Sequence, residues 1–283
     1  MDELLSFYHK KILEFLASRV QKEGALQTEI PSLSFYSSTK TTDLLATMYE
    51  PSLCMVINGS KIVHLKNEAF EYNPNTYLFA YIYTPAKVRI KKATKKDPYF
   101  SLKLTFSIEQ IFDLLKDMNN FNIKYNNNPQ REIYLGKVNS RLLESVYRLI
   151  KLLDAPKDIP IVAPLVTKEI LYIATQNSSE DFIRRYILDG STIQRIIKVI
   201  SKIKHDFREK LDVPTLAKIA GMSESSLYHN FKKITNMSPI QFQKMLRLHE
   251  ARQMLTIKRS EVAEVAFEVG YDSPSQFSRE YSR

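Results

Sequence analysis

The β-rich part of this sequence contains one group of side chains that could bind a metal ion. It consists of His64, Glu68 and Glu71. A catalytic metal site in a small barrel takes several histidines and a carboxylate from neighbouring strands. The other histidines lie outside this region or in predicted helices, so the ligand set is too small. No Ser/His/Asp set, P-loop or GxGxxG fingerprint is present either. We therefore predict no metal, no cofactor and no catalytic residues.

Cys54 is the single cysteine, and it lies in an apolar run between Leu53 and Met55. One interpretation is a small, buried hydrophobic side chain. The other is a sensor of oxidants or electrophiles, which needs an accessible thiol with a low pKa. Lys61 and Lys92 are the cations that could approach the thiol from neighbouring strands and lower that pKa.

Polar side chains near the C-terminus occupy the outward face of a predicted helix. Leu227, Phe231 and Ile234 form its apolar face. The spacing therefore turns the remaining side chains outward. These are Ser225, Ser226, Tyr228, His229 and Lys232. Such a face is either a solvated surface or a set of hydrogen-bond donors and acceptors for a partner, and the surrounding elements must decide between the two.

The helix belongs to the stretch Leu211–Lys233, LDVPTLAKIAGMSESSLYHNFKK. Pro214 is placed for the first turn of a preceding helix, and Gly221 for the left-handed residue that ends it. Ser223 supplies the N-cap of the next helix. Two short helices joined by a three- or four-residue turn with glycine are typical of the helix-turn-helix motif. The second helix of that motif enters the major groove of DNA.

The pattern recurs in Val262–Arg283, VAEVAFEVGYDSPSQFSREYSR. Its core positions match those of the first stretch, with one residue inserted in the turn: Leu216, Ala217, Ala220, Gly221, Leu227 and Phe231 correspond to Val265, Ala266, Val269, Gly270, Phe277 and Tyr281. Two tandem motifs with matched cores are much harder to obtain by chance than one. Between them, Ser238-Pro239 begins a helix long enough to hold two reading helices about one DNA turn apart.

From Ser191 to Arg283 the sequence resembles the DNA-binding half of the AraC/XylS transcription regulators. The resemblance is carried by LAKIAGMSESSLYHNFKK, SPIQFQKMLRLHEARQML and VAFEVGYDSPSQFSREYSR. It implies that the partner is double-stranded DNA and that seven side chains contact it. By position in the family motif, Ser225, Tyr228 and His229 would contact bases and Lys232 a phosphate; Ser275, Gln276 and Arg279 are their counterparts in the second motif. Arg279 then suits guanine and Gln276 adenine.

The region before this half predicts closely spaced antiparallel strands. SLCMVI and KIVHL flank Asn58-Gly59 and read as a hairpin, and AFEY, TYLFAYIY, KVRIKKA and PYFSLKLTF supply further strands. We predict a small barrel or double sheet. This region resembles the N-terminal domain of one AraC subgroup, a cupin-like barrel followed by a helical segment. The resemblance implies sensing of a small-molecule effector and dimerisation.

Helices flank the predicted strands. We expect them from Asp2 to Arg19, from the capping box of Ser107 and Gln110 onward, and over 139–153 and 163–175. The polar stretch FNIKYNNNPQREIYLG reads as a loop or linker. Leu143, Val146, Leu149 and Leu153 make a continuous apolar stripe, by which we expect a homodimer to form.

Composition limits the class of protein. The net charge is +10, and the part from Ser191 onward carries +6 of it, which favours a polyanionic partner. No apolar run is long enough to span a membrane, the N-terminus does not read as a signal peptide, and a single cysteine suits a reducing cytoplasm.

The fold class we predict is α+β, with a small antiparallel barrel and flanking helices over 1–190 and an all-α tandem helix-turn-helix domain over 191–283. The expected function is effector-responsive, sequence-specific regulation of transcription, with RNA polymerase as a further partner of an activator. The alternative is a small-molecule-binding or catalytic cupin whose C-terminal helices are only structural.

The family continues past the second recognition helix into a turn and a short final helix, whereas this sequence stops at Arg283. We therefore expect Phe277 and Tyr281 to lack cover and the second recognition helix to fray. On this expectation, DNA affinity rests mainly on Tyr228, His229 and Lys232.

Overall fold

The computed structural model describes residues 3–65, 68–81, 83–118, 133–176, 190–257 and 261–282. The chain divides into two compact units, Met1–Leu188 (unit 1) and Asp189–Arg283 (unit 2). In the described residues, unit 1 contains strands and helices, and unit 2 contains helices alone. The predicted α+β organisation is confirmed.

The strands of unit 1 are β1 (Gly24–Gln27), β2 (Leu33–Ser38), β3 (Leu45–Tyr49), β4 (Ser52–Asn58), β5 (Ser60–Leu65), β6 (Glu68–Tyr72), β7 (Thr76–Ala80), β8 (Thr84–Lys92), β9 (Tyr99–Thr105) and β10 (Ile133–Lys137). Its helices are α1 (Glu3–Arg19), α2 (Ile108–Met118), α3 (Ser140–Lys151) and α4 (Ile159–Thr175). The helices of unit 2 are α5 (Gly190–His205), α6 (Val213–Ala220), α7 (Glu224–Thr235), α8 (Pro239–Ile257), α9 (Val262–Glu268) and α10 (Pro274–Tyr281).

Two antiparallel sheets form the β part of unit 1. The larger has the order β1-β2-β9-β4-β7-β10, and the smaller has the order β3-β8-β5-β6. One core cluster joins them, because it takes buried side chains from both sheets, among them Tyr99 and Leu78 from the larger and Tyr72 and Val63 from the smaller. The predicted double sheet is confirmed.

The predicted hairpin across Asn58-Gly59 is wrong. β4 pairs with β7 and β9 in the larger sheet, whereas β5 pairs with β6 and β8 in the smaller one. The turn is a corner between the sheets, and the Asn58 side-chain amide holds it to the start of β9 by donating to the Pro98 carbonyl oxygen over 2.7 Å. From Ser52 to Ile57 every residue of β4 is buried, so both faces of this strand need cover. A central strand of a covered sheet meets that need and one arm of an exposed hairpin does not.

The predicted loop FNIKYNNNPQREIYLG is wrong at its C-terminal end. Ile133–Lys137 form β10, which pairs antiparallel with β7 along its whole length. Ile133 is buried in the core between the sheets, and this burial stabilises a strand that follows a polar stretch. Residues 121–132 of the predicted loop lie outside the described part of the chain.

The helices of unit 1 pack on one another and on the larger sheet. Asn139 caps α3 by accepting from the Leu142 backbone N–H over 2.8 Å, and Ser107 and Gln110 form the expected capping box before α2. The apolar stripe of α3 and the short turn after it is buried inside unit 1, where Leu143, Val146, Leu149 and Leu153 are at most 4% exposed. α3 packs between α1 and α4. The prediction that this stripe forms a dimer interface is therefore wrong, since α1 and α4 already cover it.

Candidate nucleic-acid interface

The first helix-turn-helix is formed by α6 and α7, and local capping fixes its turn. Gly221 ends α6 in the left-handed conformation at φ 59°, as the sequence predicted. Ser223 then caps α7 by accepting from the Ser226 backbone N–H over 3.3 Å. Leu227 and Phe231 are completely buried, and the Phe231 ring packs edge-on against Phe242 of α8 at 5.5 Å. This packing orients α7.

The outward face of α7 carries the predicted contact residues. Ser225, His229 and Lys232 are exposed, and Tyr228 is half-buried. Sequence reasoning missed Asn230, whose side-chain amide donates to the Ser226 carbonyl oxygen over 2.9 Å and to its hydroxyl over 3.1 Å. Its four-residue spacing from Ser226 was the signal that could have identified it.

The second helix-turn-helix is formed by α9 and α10. Ser275, Gln276 and Arg279 are exposed on α10, and the Arg279 Nε donates to the Ser275 carbonyl oxygen over 3.3 Å. Phe277 is completely buried, so the expectation that it lacks cover is wrong. Its cover is a cluster that Val265, Ala266, Val269 and Tyr271 of the motif form with Ala251 and Met254 of α8. Tyr281 is 40% exposed, as expected.

A carboxylate of α10 fastens this helix to its neighbours. Glu280 accepts from the Tyr271 hydroxyl over 2.9 Å and forms an ion pair of 2.8 Å with Lys244 of α8. Burial raises the pKa of this carboxyl, but the hydrogen bonds from Lys244 and Tyr271 outweigh that effect and hold the pKa below its usual range. Glu280 is therefore ionised at neutral pH and keeps α10 against α8.

The turn after α5 contacts both the central helix α8 and the second motif. From α8, the Arg247 Nε donates to the Phe207 carbonyl oxygen over 2.7 Å, and the Gln243 amide donates to the Glu209 carbonyl oxygen over 2.7 Å. Gly270, in the turn of the second motif, approaches the same segment so closely that a Cβ atom there would lie 2.8 Å from the Arg208 carbonyl carbon. The central helix α8 and the turn of the second motif are thus held against the same backbone segment.

Neither metal chemistry nor thiol chemistry finds support in the geometry. Among the described residues, no three His, Cys, Asp or Glu side chains are placed to hold a metal ion. Cys54 is buried, and burial raises the pKa of its thiol, an effect that Lys103 and Lys61 offset only in part. A reactive sensor needs an accessible thiol with a lowered pKa. The structure therefore favours the buried hydrophobic side chain of our two interpretations.

Comparison with known proteins identifies the family. Residues 29–181 match the AraC-type transcriptional regulator N-terminus, and residues 216–283 match a helix-turn-helix domain. The first match alone covers more than half of the chain. The chain belongs to the AraC-type transcriptional regulators.

Individual relatives cover different parts of this AraC-type chain. The transcriptional activator RhaS of Salmonella schwarzengrund is 23% identical over 149 residues, which are 52% of this chain and 52% of RhaS. Histidine kinase P4 of Formosa agariphila is 29% identical over 92 residues, 32% of this chain and 7% of the kinase. The chain thus spans about half of RhaS and a small part of the kinase.

A solved structure shares the fold of the regulator. The crystal structure of ToxT from Vibrio cholerae with bound unsaturated fatty acid superposes with a TM-score of 0.56, covering 92% of this chain and 91% of ToxT. The two sequences are 10% identical. Within the described residues, no helix is both long enough and apolar enough to cross a membrane.

Proposed function

We propose that the protein is a sequence-specific, DNA-binding regulator of transcription in the cytoplasm. The observation that carries the proposal is the pair of helix-turn-helix motifs in unit 2, each with a buried apolar core and an exposed polar face on its second helix. The central helix α8 has 19 residues and so measures about 28 Å, close to the 34–36 Å of one turn of DNA. Two adjacent stretches of major groove are then within reach of α7 and α10.

Seven side chains are proposed to contact DNA. On α7, Ser225, Tyr228 and His229 contact bases and Lys232 contacts a phosphate; on α10, Ser275, Gln276 and Arg279 occupy the corresponding face. Six of these side chains are exposed and Tyr228 is half-buried, which supports the assignment. The Arg279 Nε is engaged with the Ser275 carbonyl, which leaves the outer nitrogens of its guanidinium to donate to guanine.

Unit 1 is proposed to sense a small-molecule effector. ToxT, which shares the fold, binds an unsaturated fatty acid. In unit 1 a cleft of about 310 Å³ opens between α1, β1 and the residues after α3, with Arg19, Gln27 and Phe35 among its lining. If the protein activates transcription, as RhaS does, RNA polymerase is a further partner.

A homodimer is also proposed, and α4 replaces the stripe of α3 as its interface. Ile161 and Leu165 lie one helical turn apart on the outer side of α4 and are 72% and 67% exposed. Pro160 and Pro164 are exposed beside them. A second copy of this apolar ridge would bury these side chains, and a two-fold symmetric contact pairs the ridge with itself.

The proposal is tested by selecting duplexes from a random library with the full chain and titrating the selected DNA against salt. If six to eight phosphates are contacted, log K should fall against log salt with a slope of about −0.9 for each phosphate. Selected duplexes should bind at least about 10³-fold more tightly than scrambled ones. No enrichment of any sequence, or a flat salt response, would remove the DNA-binding function.

A further inference from the structure

The outer face of the four-stranded sheet in unit 1 carries a row of cations. Along β8 exposed and buried residues alternate, so Lys87, Arg89 and Lys91 point outward while Val88 and Ile90 point into the core. Residues two apart on a strand are separated by about 6.7 Å, so the row is about 13 Å long. Lys92, Lys95 and Lys96 extend it in sequence, and no acidic residue occurs between Lys87 and Lys96.

The neighbouring strands leave most of this charge uncompensated. Lys87 lies opposite Ala46 on β3 and His64 on β5, and Arg89 lies opposite Ile62. Among the described residues, no carboxylate pairs with either cation. Lys91 differs, since it forms an ion pair of 2.5 Å with Glu71 of β6. Lys87 and Arg89 therefore repel each other, and the face attracts anions.

Protection of a sheet edge does not account for the row. Lysines are common on edge strands, where they prevent pairing with another chain. β8, however, lies between β3 and β5 and has both sides hydrogen-bonded. Like charges about 6.7 Å apart along one face of a strand repel each other, and a bound anion offsets that repulsion.

We propose that this face, which we call the β8 face (Lys87, Arg89 and Lys91), contacts the phosphate backbone of the DNA that flanks the bases read by unit 2. The inference rests on the proposed DNA-binding function. Thirteen ångströms of duplex carry about eight phosphate charges, more than enough for three cations. Because both units belong to one chain, unit 1 is held near DNA whenever unit 2 is bound, and even weak phosphate contacts then add to affinity. These contacts carry no sequence preference.

The test compares three full-length proteins: wild type, Lys87→Gln/Arg89→Gln/Lys91→Gln, and the control Lys10→Gln/Lys22→Gln/Lys157→Gln, which removes the same charge from exposed lysines elsewhere in unit 1. Each is titrated against salt on two selected duplexes, one covering only the recognised bases and one with about 20 further base pairs on each side. On the long duplex the β8-face variant should lose about 0.9 of salt slope per phosphate, up to about 1.8 for the two unpaired cations Lys87 and Arg89. On the short duplex it should match the control.

Several outcomes separate this inference from the proposed function. If wild type binds no duplex specifically, the proposed function fails. If wild type binds specifically but the β8-face variant and the control have equal slopes on the long duplex, the inference alone is overturned. Loss of binding to anionic phosphatidylglycerol vesicles with no change on DNA would also overturn it, in favour of a lipid. Arg89→Lys keeps the charge and should keep the wild-type slope.

Discussion

Two exposed cations on the recognition helices are proposed to play different parts. In this proposal Arg279 reads a base, whereas Lys232 contacts a phosphate. Arg279→Ala should cost about 1–3 kcal/mol of binding free energy and relax the preference at one base pair, because a bidentate contact to guanine is lost. Lys232→Ala should weaken binding equally on all sequences and lower the salt slope by about 1.

Binding of each variant to a set of singly substituted duplexes measures both effects. Lys232→Ala is the matched control for the loss of one charge. Uniform weakening by Arg279→Ala across all duplexes would make that residue a phosphate contact instead.

Cys54 and the phenols between the two sheets should make unit 1 sensitive to alkali. Burial raises the pKa of Cys54, Tyr49, Tyr72 and Tyr99. At high pH the unfolded chain, whose groups ionise at their ordinary values of about 8.5 and 10, therefore binds fewer protons than the folded chain. The free energy of unfolding should fall as pH rises through this range and show no contribution from these groups below it.

Denaturant titrations of the full chain between about pH 7 and pH 11, followed by far-ultraviolet circular dichroism, measure this effect. A thiol reagent should label Cys54 only as fast as the protein unfolds. Rapid labelling of the native protein at neutral pH would restore the sensor interpretation.

At the scale of the elements, the two turn glycines offer a matched comparison. Gly221 and Gly270 both have positive φ, at 59° and 90°. A Cβ atom at Gly221 would have no neighbour within 4 Å, whereas one at Gly270 would overlap the backbone of Arg208. Gly221→Ala should therefore cost about 1–2 kcal/mol for its left-handed conformation. Gly270→Ala should cost clearly more, because the turn held by Arg247 must also move.

Denaturant unfolding of unit 2 in the two variants, followed by circular dichroism, measures the difference. If both variants lose the same free energy of unfolding, the Phe207–Glu209 turn moves at little cost and does not fix the second motif.

The turns and helix caps of unit 2 could be predicted from the sequence because they depend on neighbouring residues. Gly221, Ser223 and Ser238 act on backbone groups a few positions away, and the structure places each as expected. Strand pairing in unit 1 depends on residues far apart. Asn58-Gly59 indicated a turn but could not specify that β4 pairs with β9 instead of β5.

Periodicity likewise shows that a face is apolar without showing what covers it. For α3 the cover is α1 and α4 of the same chain. At the proposed interface, the exposed sets on α7 and α10 followed from helical spacing. The hydrogen bonds from Arg247 and Gln243 to the turn after α5 could not be predicted in this way. They join a side chain to backbone atoms 34–40 residues away, and such contacts leave no periodic signal in the sequence.

For the whole molecule, the ridge on α4 predicts how dimerisation responds to charge. Leu165→Glu should convert the dimer to a monomer at micromolar concentration, because it would bury a charge against its own symmetry mate. Leu26→Glu is the control, since Leu26 is another exposed leucine, at 41%, and lies on β1. Light scattering of the full chain decides the matter. A monomeric wild type, or a Leu165→Glu protein that stays dimeric, would contradict the assignment.

The sheet order of unit 1 also bears on how quickly each half of the chain is formed. β2 must find β9, and β10 must find β7, across long intervening stretches, while the helices of unit 2 pack mainly on sequence neighbours. Folding slows steeply as contacts become less local: helical domains fold in about microseconds to milliseconds and sheet domains in about milliseconds to seconds. A denatured chain returned to native conditions therefore regains its helix-turn-helix unit first. For a brief interval the helix-turn-helix unit is folded while unit 1, its proposed sensor, is not.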